Sequence, residues 1–399
     1  MRNGLRWLIV LSLAEIATML TFGSYSGALP VLRAEWRLSA SQAGAIFAGQ
    51  QIGYTVAVLV LSALTDLIGV RRIYLAAAVW NGVFGLLFAA LARDFPSALV
   101  LRALGGMGLA GTYMPGMRLV VETFPAASRG MAMGLYIGAF SLGTSLSLLL
   151  TGALLPLGWR TVFVVTGLGP LIAAAIAWPI VRDVSAPAPR RRIEPARVLR
   201  NARALRFIVA YAAHNWELFG MRAWLPAFLT ALWVQQGIPL TVAAARGATF
   251  SSLVLLASGT SNALGGWLSD SLGRRRTIVI FLTASAVLSA TIGWTAPLGI
   301  GVVLTLAVLY GLLVTAESST LSTAVAESAE PEALGTTMAL QSSFGFLVTA
   351  ISPPLFGAIL DATGAWGWAF ASLAAAAALG VLIVARPPSP RRRPAPTGT

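Results

Sequence analysis

Of 399 residues, 57% are hydrophobic and only 11% charged, against roughly 25% charged in a soluble domain, and the mean hydropathy of +0.79 excludes an ordinary soluble globule. The absence of cysteine excludes disulfides and thiolate metal sites, and a single histidine, His214, excludes a multi-histidine metal centre. The net charge of +14 is carried by arginines in short loops between apolar segments rather than on a basic helix with interleaved aromatics, which points to membrane topology and away from nucleic acid.

The first apolar segment, 5–29, follows Arg2 and Arg6. It is longer than the apolar core of a signal peptide and has Glu15 in its middle, so it reads as an uncleaved first span. Further segments able to cross about 30 Å of hydrocarbon follow at 43–65, 73–92, 97–119, 131–154, 161–181, 206–232, 242–266, 277–294, 298–321, 336–360 and 366–385. Glycine and proline inside several of them are tolerated where neighbouring helices satisfy the freed backbone groups. The loop 182–205, with Pro187, Pro189, Pro195 and the run Arg190-Arg191-Arg192, reads as a linker lying on anionic lipid. It separates a six-span unit at 1–181 from a second at 206–385, and the proline- and arginine-rich tail 386–399 is expected to be disordered. One side of the membrane would hold Arg2, Arg6, Arg71, Arg72, Arg129, the arginines of 182–206, Arg274 to Arg276 and those after 385. The other would hold only Arg33, Arg37, Arg93 and Arg160. That asymmetry predicts both termini in the cytoplasm, and the all-arginine, alanine-rich usage fits a GC-rich bacterial genome.

One polar stretch recurs. Ser269-Asp270-Ser271-Leu272-Gly273-Arg274-Arg275-Arg276 lies between spans eight and nine, and Thr65-Asp66-Leu67-Ile68-Gly69-Val70-Arg71-Arg72 lies 204 residues upstream, between spans two and three. Glu122 and Glu327 differ by 205, as do Gly130 and Gly335. Parallel duplication of a six-span unit accounts for these pairs. With Arg102-x-x-x-Gly106-x-Gly108 in span four and Gly158-Trp159-Arg160 before span six, the chain resembles the major facilitator superfamily over nearly its full length.

The resemblance implies an all-α fold of twelve transmembrane helices in two pseudo-symmetric six-helix bundles. It implies that Asp66 approaches the start of span eleven near Gly335, and Asp270 the start of span five near Gly130. An aspartate at one helix end can accept from the free backbone N–H groups at the start of another, where the dipole favours negative charge. Arg71, Arg72, Arg274, Arg275 and Arg276 would then pair with Glu122 and Glu327, with Gly69, Gly273 and Arg129 shaping the same inner gate. The first copy has Ser62, Leu67 and Val70 where the family carries glycine and basic residues, so the lock through Asp270 is expected to be the stronger. The alternative is that these charges only set topology.

Ionisable residues inside a membrane are costly and are functional candidates by default. Here they are Glu15, Arg102, His214, Glu217, Arg222, Arg246 and Glu317, with Arg118 near a boundary. At 100° per residue Arg102, Gly106 and Tyr113 share one face of span four, Glu15, Phe22 and Ser26 share a stripe of span one, and His214 and Glu217 are neighbours on span seven. Arg118 is expected to pair with Glu122 four residues on, and Arg246 to snorkel to the outer headgroups. Arg222 is about 140° round the helix from Glu217. In the superfamily, spans one, four, seven and ten line the cavity, so Glu15, Arg102, His214, Glu217 and Glu317 would meet near the bilayer centre, unless some of them pair off structurally. Gln50, Gln51, Tyr54, Asn262 and Gln341 would either bind substrate or bridge helices.

These readings point to a secondary active transporter, since no phosphate-cradling loop is present. The expected activity is proton-coupled uptake of a small organic anion by a monomer without a cofactor, with lipid as its surroundings. Arg102 is the expected substrate anchor, joined by Tyr113, Gln51, Asn262 and His214, and Glu15, Glu217 and Glu317 are candidates for proton coupling or for holding substrate charge. The alternative is an efflux antiporter for hydrophobic or cationic compounds, although Gly134 and Gly143 in span five lack the following proline usual in the family's antiporters. A sensor or an intramembrane enzyme fits the composition poorly.

Overall fold

Inside hydrocarbon every backbone N–H and C=O has to find a partner within the chain, so apolar runs of membrane length fold as helices. The computed structural model describes residues 2–182 and 195–386, and the side chain of Asp66 lies outside the described residues. The helices are α1 (Arg2–Glu35), α2 (Ala40–Ile68), α3 (Val70–Leu91), α4 (Phe95–Thr123), α5 (Ala126–Leu154), α6 (Trp159–Ala177), α7 (Pro195–Arg200), α8 (Ala202–Gln235), α9 (Leu240–Leu272), α10 (Arg274–Ile292), α11 (Ile300–Ala316), α12 (Ser318–Ser328), α13 (Leu334–Thr349), α14 (Ser352–Thr363) and α15 (Trp366–Ala385). With α11–α12 and α13–α14 each forming one crossing, and α7 apart, they make twelve long units. Among the described residues, nine helical stretches are by length and composition apolar enough to cross a membrane.

The helices α1–α6 pack on one another, chiefly α2 and α3 on α4, and α1 on α5 and α6. The set α8–α15 does the same, with α15 against α8 and α10, and α9 against α11. Across the two sets the main seams are α5 with α9 and α2 with α14.

Three local features depart from the sequence expectation. The tenth crossing breaks at Glu317, and the eleventh breaks between Thr349 and Ser352. The second break has a clear cause: Pro353 and Pro354 lack N–H groups and would clash with the preceding turn, so the helix stops and restarts with proline in its first turn. The loop expected over 182–205 contains a short helix, α7, whose Val198 is buried and whose Arg197 pairs with Glu330. Asn201 then caps α8, accepting from Ala204 N–H at 3.1 Å while its Nδ2 donates to Ser328 O at 2.9 Å. The rest of that loop and the tail beyond Arg386 lie outside the described residues.

The duplicated loops adopt one geometry. Gly69 (φ 93°, ψ 147°) and Gly273 (φ 84°, ψ 147°) turn the chain between successive helices in a region closed to most side chains. Arg71 donates to Val181 O after α6, and Arg275 donates to Val384 O at 3.0 Å at the end of α15. Each arginine thereby supplies a cation to the carbonyl end of the last long helix of its own set. The expected partners are shared differently. Glu327 takes Arg274 (3.1 Å), and Glu122 takes Arg118 (2.8 Å).

The two ends of the molecule differ. At the distal end, away from the chain termini, Asp361 of α14 accepts from the backbone N–H groups of Ala40 (2.7 Å) and Ser41 (2.8 Å), the first residues of α2, and lies 3.5 Å from Arg33. Gly44 and Gly357 make this seam possible, because a Cβ on the first would stand 2.3 Å from Pro353 O and on the second 2.3 Å from Ala40 O. Ser145 of α5 donates to Ser252 O of α9 at 2.8 Å in the other seam. At the terminal end, Asp270 does not reach the start of α5. Its carboxylate is 70% exposed and pairs with Arg274 of its own set at 2.5 Å, while the space beside Gly130 and Gly335 is empty. Among the described residues no hydrogen bond or ion pair joins the two sets there.

Candidate functional site

The deep ionisable side chains fall into separate clusters. Glu15 is fully buried and its Oε2 accepts from Tyr136 of α5 at 2.8 Å. Glu217 accepts from Ser285 of α10 at 2.9 Å, and Tyr310 and Ser289 continue that network at 3.0 Å to Phe370 O at 3.1 Å, all within α8–α15. His214 Nδ1 lies 2.8 Å from Glu317, and its Nε2 lies 2.7 Å from Ser318. The break between α11 and α12 turns Glu317 and Ser318 onto the same imidazole, so the histidine has a carboxyl on one nitrogen and a hydroxyl on the other. Each of the three glutamates keeps one buried oxygen without a hydrogen bond.

Arg102 belongs to a different place. Its guanidinium donates to Thr21 O at 3.1 Å and to Gln50 Oε1, and it lies 5.3 Å from the ring centre of Tyr25. A small cavity of about 20 Å³, lined also by Asn81, Phe84 and Thr166, sits beside it inside α1–α6. Gly106 allows this approach, since a Cβ there would stand 2.1 Å from Gln50 O. The structure joins His214 with Glu317 and keeps Glu217 within electrostatic reach of that pair, while Arg102 is held by partners of α1–α6. Arg102 is not paired with Glu15.

Other deep polar groups carry atoms without a hydrogen bond, and one of them, Tyr54 of α2, lies against Phe346 of the other set. Gln51 Nε2 and Tyr54 OH of α2, Asn215 Nδ2 and Arg222 Nε of α8, Asn262 Oδ1 of α9 and Gln341 Oε1 of α13 are buried without hydrogen-bond partners. Gln341 Nε2 donates to Ser322 at 3.0 Å, so only part of that amide is used. Rings from both sets form a belt. Tyr113 lies 5.1 Å from Phe140, which lies 5.5 Å from Phe22; Phe22 is 6.4 Å from Phe219, Phe219 is 6.3 Å from Phe346, and Phe346 is 4.9 Å from Tyr54. Phe22, Phe219 and Phe346 come from α1, α8 and α13, so the belt crosses between the sets.

Two residues stand out beyond the expected site. Arg222, a deep ionisable residue about 140° round the helix from Glu217, is turned from the network within α8–α15 toward this belt, where it meets Phe219. Asp361 sits at a helix end outside the repeated motif. Its only sequence signal was indirect: Ser39-x-x-Gln42 marks a helix start, and the capping box between them is formed.

The family profile described as Major Facilitator Superfamily matches residues 11–247 and 238–399. A probable 4-methylmuconolactone transporter of Cupriavidus pinatubonensis is 26% identical over 271 residues, 64% of this chain and 60% of that protein. The hexuronate transporter of Bacillus subtilis is 27% identical over 236 residues, 56% of each. The chain thus spans about three fifths of the length of these curated relatives. The crystal structure of a bacterial homolog to the human lysosomal transporter Spinster, inward-facing and unoccupied, superposes with a TM-score of 0.75 over 96% of this chain and 95% of that one, at 16% identity, a likeness of fold alone.

Proposed function

Because the chain belongs to the Major Facilitator Superfamily, we propose that it is a secondary active transporter moving a small organic anion by alternating access, with protons as the coupling ion. One observation carries this reading: the two sets of helices are sealed at the distal end and, among the described residues, unjoined at the terminal end, with buried polar atoms of both sets left without hydrogen bonds. A site reached from one side at a time, between two rocking bundles, is what alternating access requires. The arginine asymmetry supports a bacterial inner-membrane protein with the terminal face in the cytoplasm, so this is the inward-open state. Relatives named for hexuronate and 4-methylmuconolactone support a small organic acid as cargo.

The proton is assigned to the Glu317–His214–Ser318 chain, whose three groups stand in hydrogen-bond sequence beside the helix break. Glu15, held by the Tyr136 hydroxyl, and Glu217, surrounded by the hydroxyls of Ser285, Tyr310 and Ser289, are secondary candidates. In proteoliposomes with an imposed pH gradient, at least one small organic acid from a panel of sugar acids and aromatic acids should accumulate in the wild type. Glu317→Gln should abolish accumulation while leaving exchange between equal pools. Gradient-driven accumulation that survives in this variant would overturn the assignment.

A further inference from the structure

We propose that Arg222 is the anion anchor of the site between the bundles and that the anion it takes is a planar aromatic carboxylate. The proposal rests on the transporter reading above and narrows its substrate class.

Two deep arginines stand in contrast. Arg102 has a backbone carbonyl, an amide oxygen and the Tyr25 ring, all from its own bundle. Arg222 lies about 20 Å inside the distal end of α8 by helical rise, and its Nε is sealed from solvent with no acceptor. Among the described residues it makes no ion pair or hydrogen bond, and its only close contact of this kind is the Phe219 ring, 5.5 Å from the guanidinium carbon. An ion at that depth without a counter-charge suits a partner that comes and goes. The guanidinium fork matches a carboxylate in two parallel hydrogen bonds.

Asn215, Phe219 and Arg222 follow at i, i+4 and i+7, one stripe of α8. Phe219 meets Phe22 of α1 at 79° and Phe346 of α13 at 74°, both edge to face. Rings held at such angles and 6–7 Å apart present faces and edges to a flat guest, the geometry aromatic groups prefer. Gln51 Nε2, buried on α2 without a partner, suits a carboxylate oxygen. A sugar acid would leave most of its hydroxyls facing phenyl rings. A benzoate-like anion would bury its ring there and give its charge to Arg222, touching both bundles at once.

The test is a thermal-shift titration of the purified full-length protein with benzoate, cyclohexanecarboxylate, benzyl alcohol and glucuronate, since ligands bound to the native state raise the apparent melting temperature. Benzoate should stabilise the protein, cyclohexanecarboxylate should do so several-fold more weakly, and benzyl alcohol should not. Arg222→Gln should remove the benzoate shift. If that variant does not fold, Arg222→Lys, which keeps the charge and loses the fork, should weaken benzoate about tenfold. Phe219→Leu should weaken benzoate several-fold. A benzoate shift unchanged in Arg222→Gln, or no benzoate shift in the wild type, overturns the proposal. Stabilisation by glucuronate alone, lost in Arg222→Gln, overturns the aromatic class and leaves transport standing. Benzoate binding through Arg222 with no uptake of any anion into proteoliposomes upholds the site and overturns the transporter reading.

Discussion

The distal and terminal ends of this molecule use the same chemistry and stand in opposite states. At the distal end a carboxylate from one bundle accepts from the first backbone N–H groups of a helix in the other, so Asp361 is a latch across the seam. At the terminal end Asp270 turns back on its own bundle and pairs with Arg274. An aspartate at a helix start is worth about 0.3–1 kcal/mol when exposed and up to about 2 kcal/mol when partly buried. An exposed ion pair within one bundle contributes at most about 1 kcal/mol and favours neither state of the seam. The comparison teaches that a closed end is one where the helix start is capped from the other bundle, and an open end is one where the same carboxylate is occupied at home.

The largest expected effect follows from the engaged latch. Asp361→Ala should raise the population separated at the distal end about five- to thirty-fold, the ratio that 1–2 kcal/mol commands. Spin labels at Arg37→Cys and Thr363→Cys, the only cysteines in such a chain, would read it as a longer distance; an unchanged distribution would remove the latch. The next effect concerns the idle end. Asp270→Asn should slow uptake several-fold and more than Asp66→Asn, because the second loop retains the fuller motif. The reverse order of initial rates would mean that the terminal end closes through Asp66. A smaller and symmetric effect is expected from Arg71→Ala and Arg275→Ala, which remove equivalent caps from α6 and α15. Each should lower the apparent melting temperature by about one to two degrees, the scale of a lost surface cap in a chain this long. Clearly unequal shifts would show that the repeated loops bear different loads. The smallest effect, a shift of under about one degree in apparent melting temperature, should be Glu122→Gln, since it weakens only an i,i+4 pair near the surface worth about 0.3–0.5 kcal/mol and leaves Arg118 its bond to Thr65.

The sequence carried the fold because long apolar runs, arginine-bearing loops and the 204-residue repeat each depend on local composition. It also exposed the deep ionisable residues, as charges in apolar runs are easy to see. Their partners were harder. Helical periodicity gives the face a side chain occupies on its own helix, not which helix lies opposite; Glu15 and Tyr136 are 121 residues apart. The break at Glu317 left no proline or glycine signal, whereas Pro353-Pro354 was visible yet hidden in an apolar run. Asp361 was missed for a related reason: its partners are backbone N–H groups, which every residue but proline possesses. Arg222 was visible and was weighed against the wrong neighbour.

The glycines of the distal seam have a consequence of their own. With Gly44 facing Pro353 O and Gly357 facing Ala40 O, backbone rests on backbone and there is no side chain to yield. Such a surface fits or does not fit, so the distal end behaves as a steric doorstop mount. One methyl group at position 44 would hold it ajar. Gly44→Ala should therefore trap the protein with its distal end apart and its folded stability nearly intact. Such a trapped form would offer the distal opening to conformation-selective binders, such as nanobodies, that the closed wild type excludes.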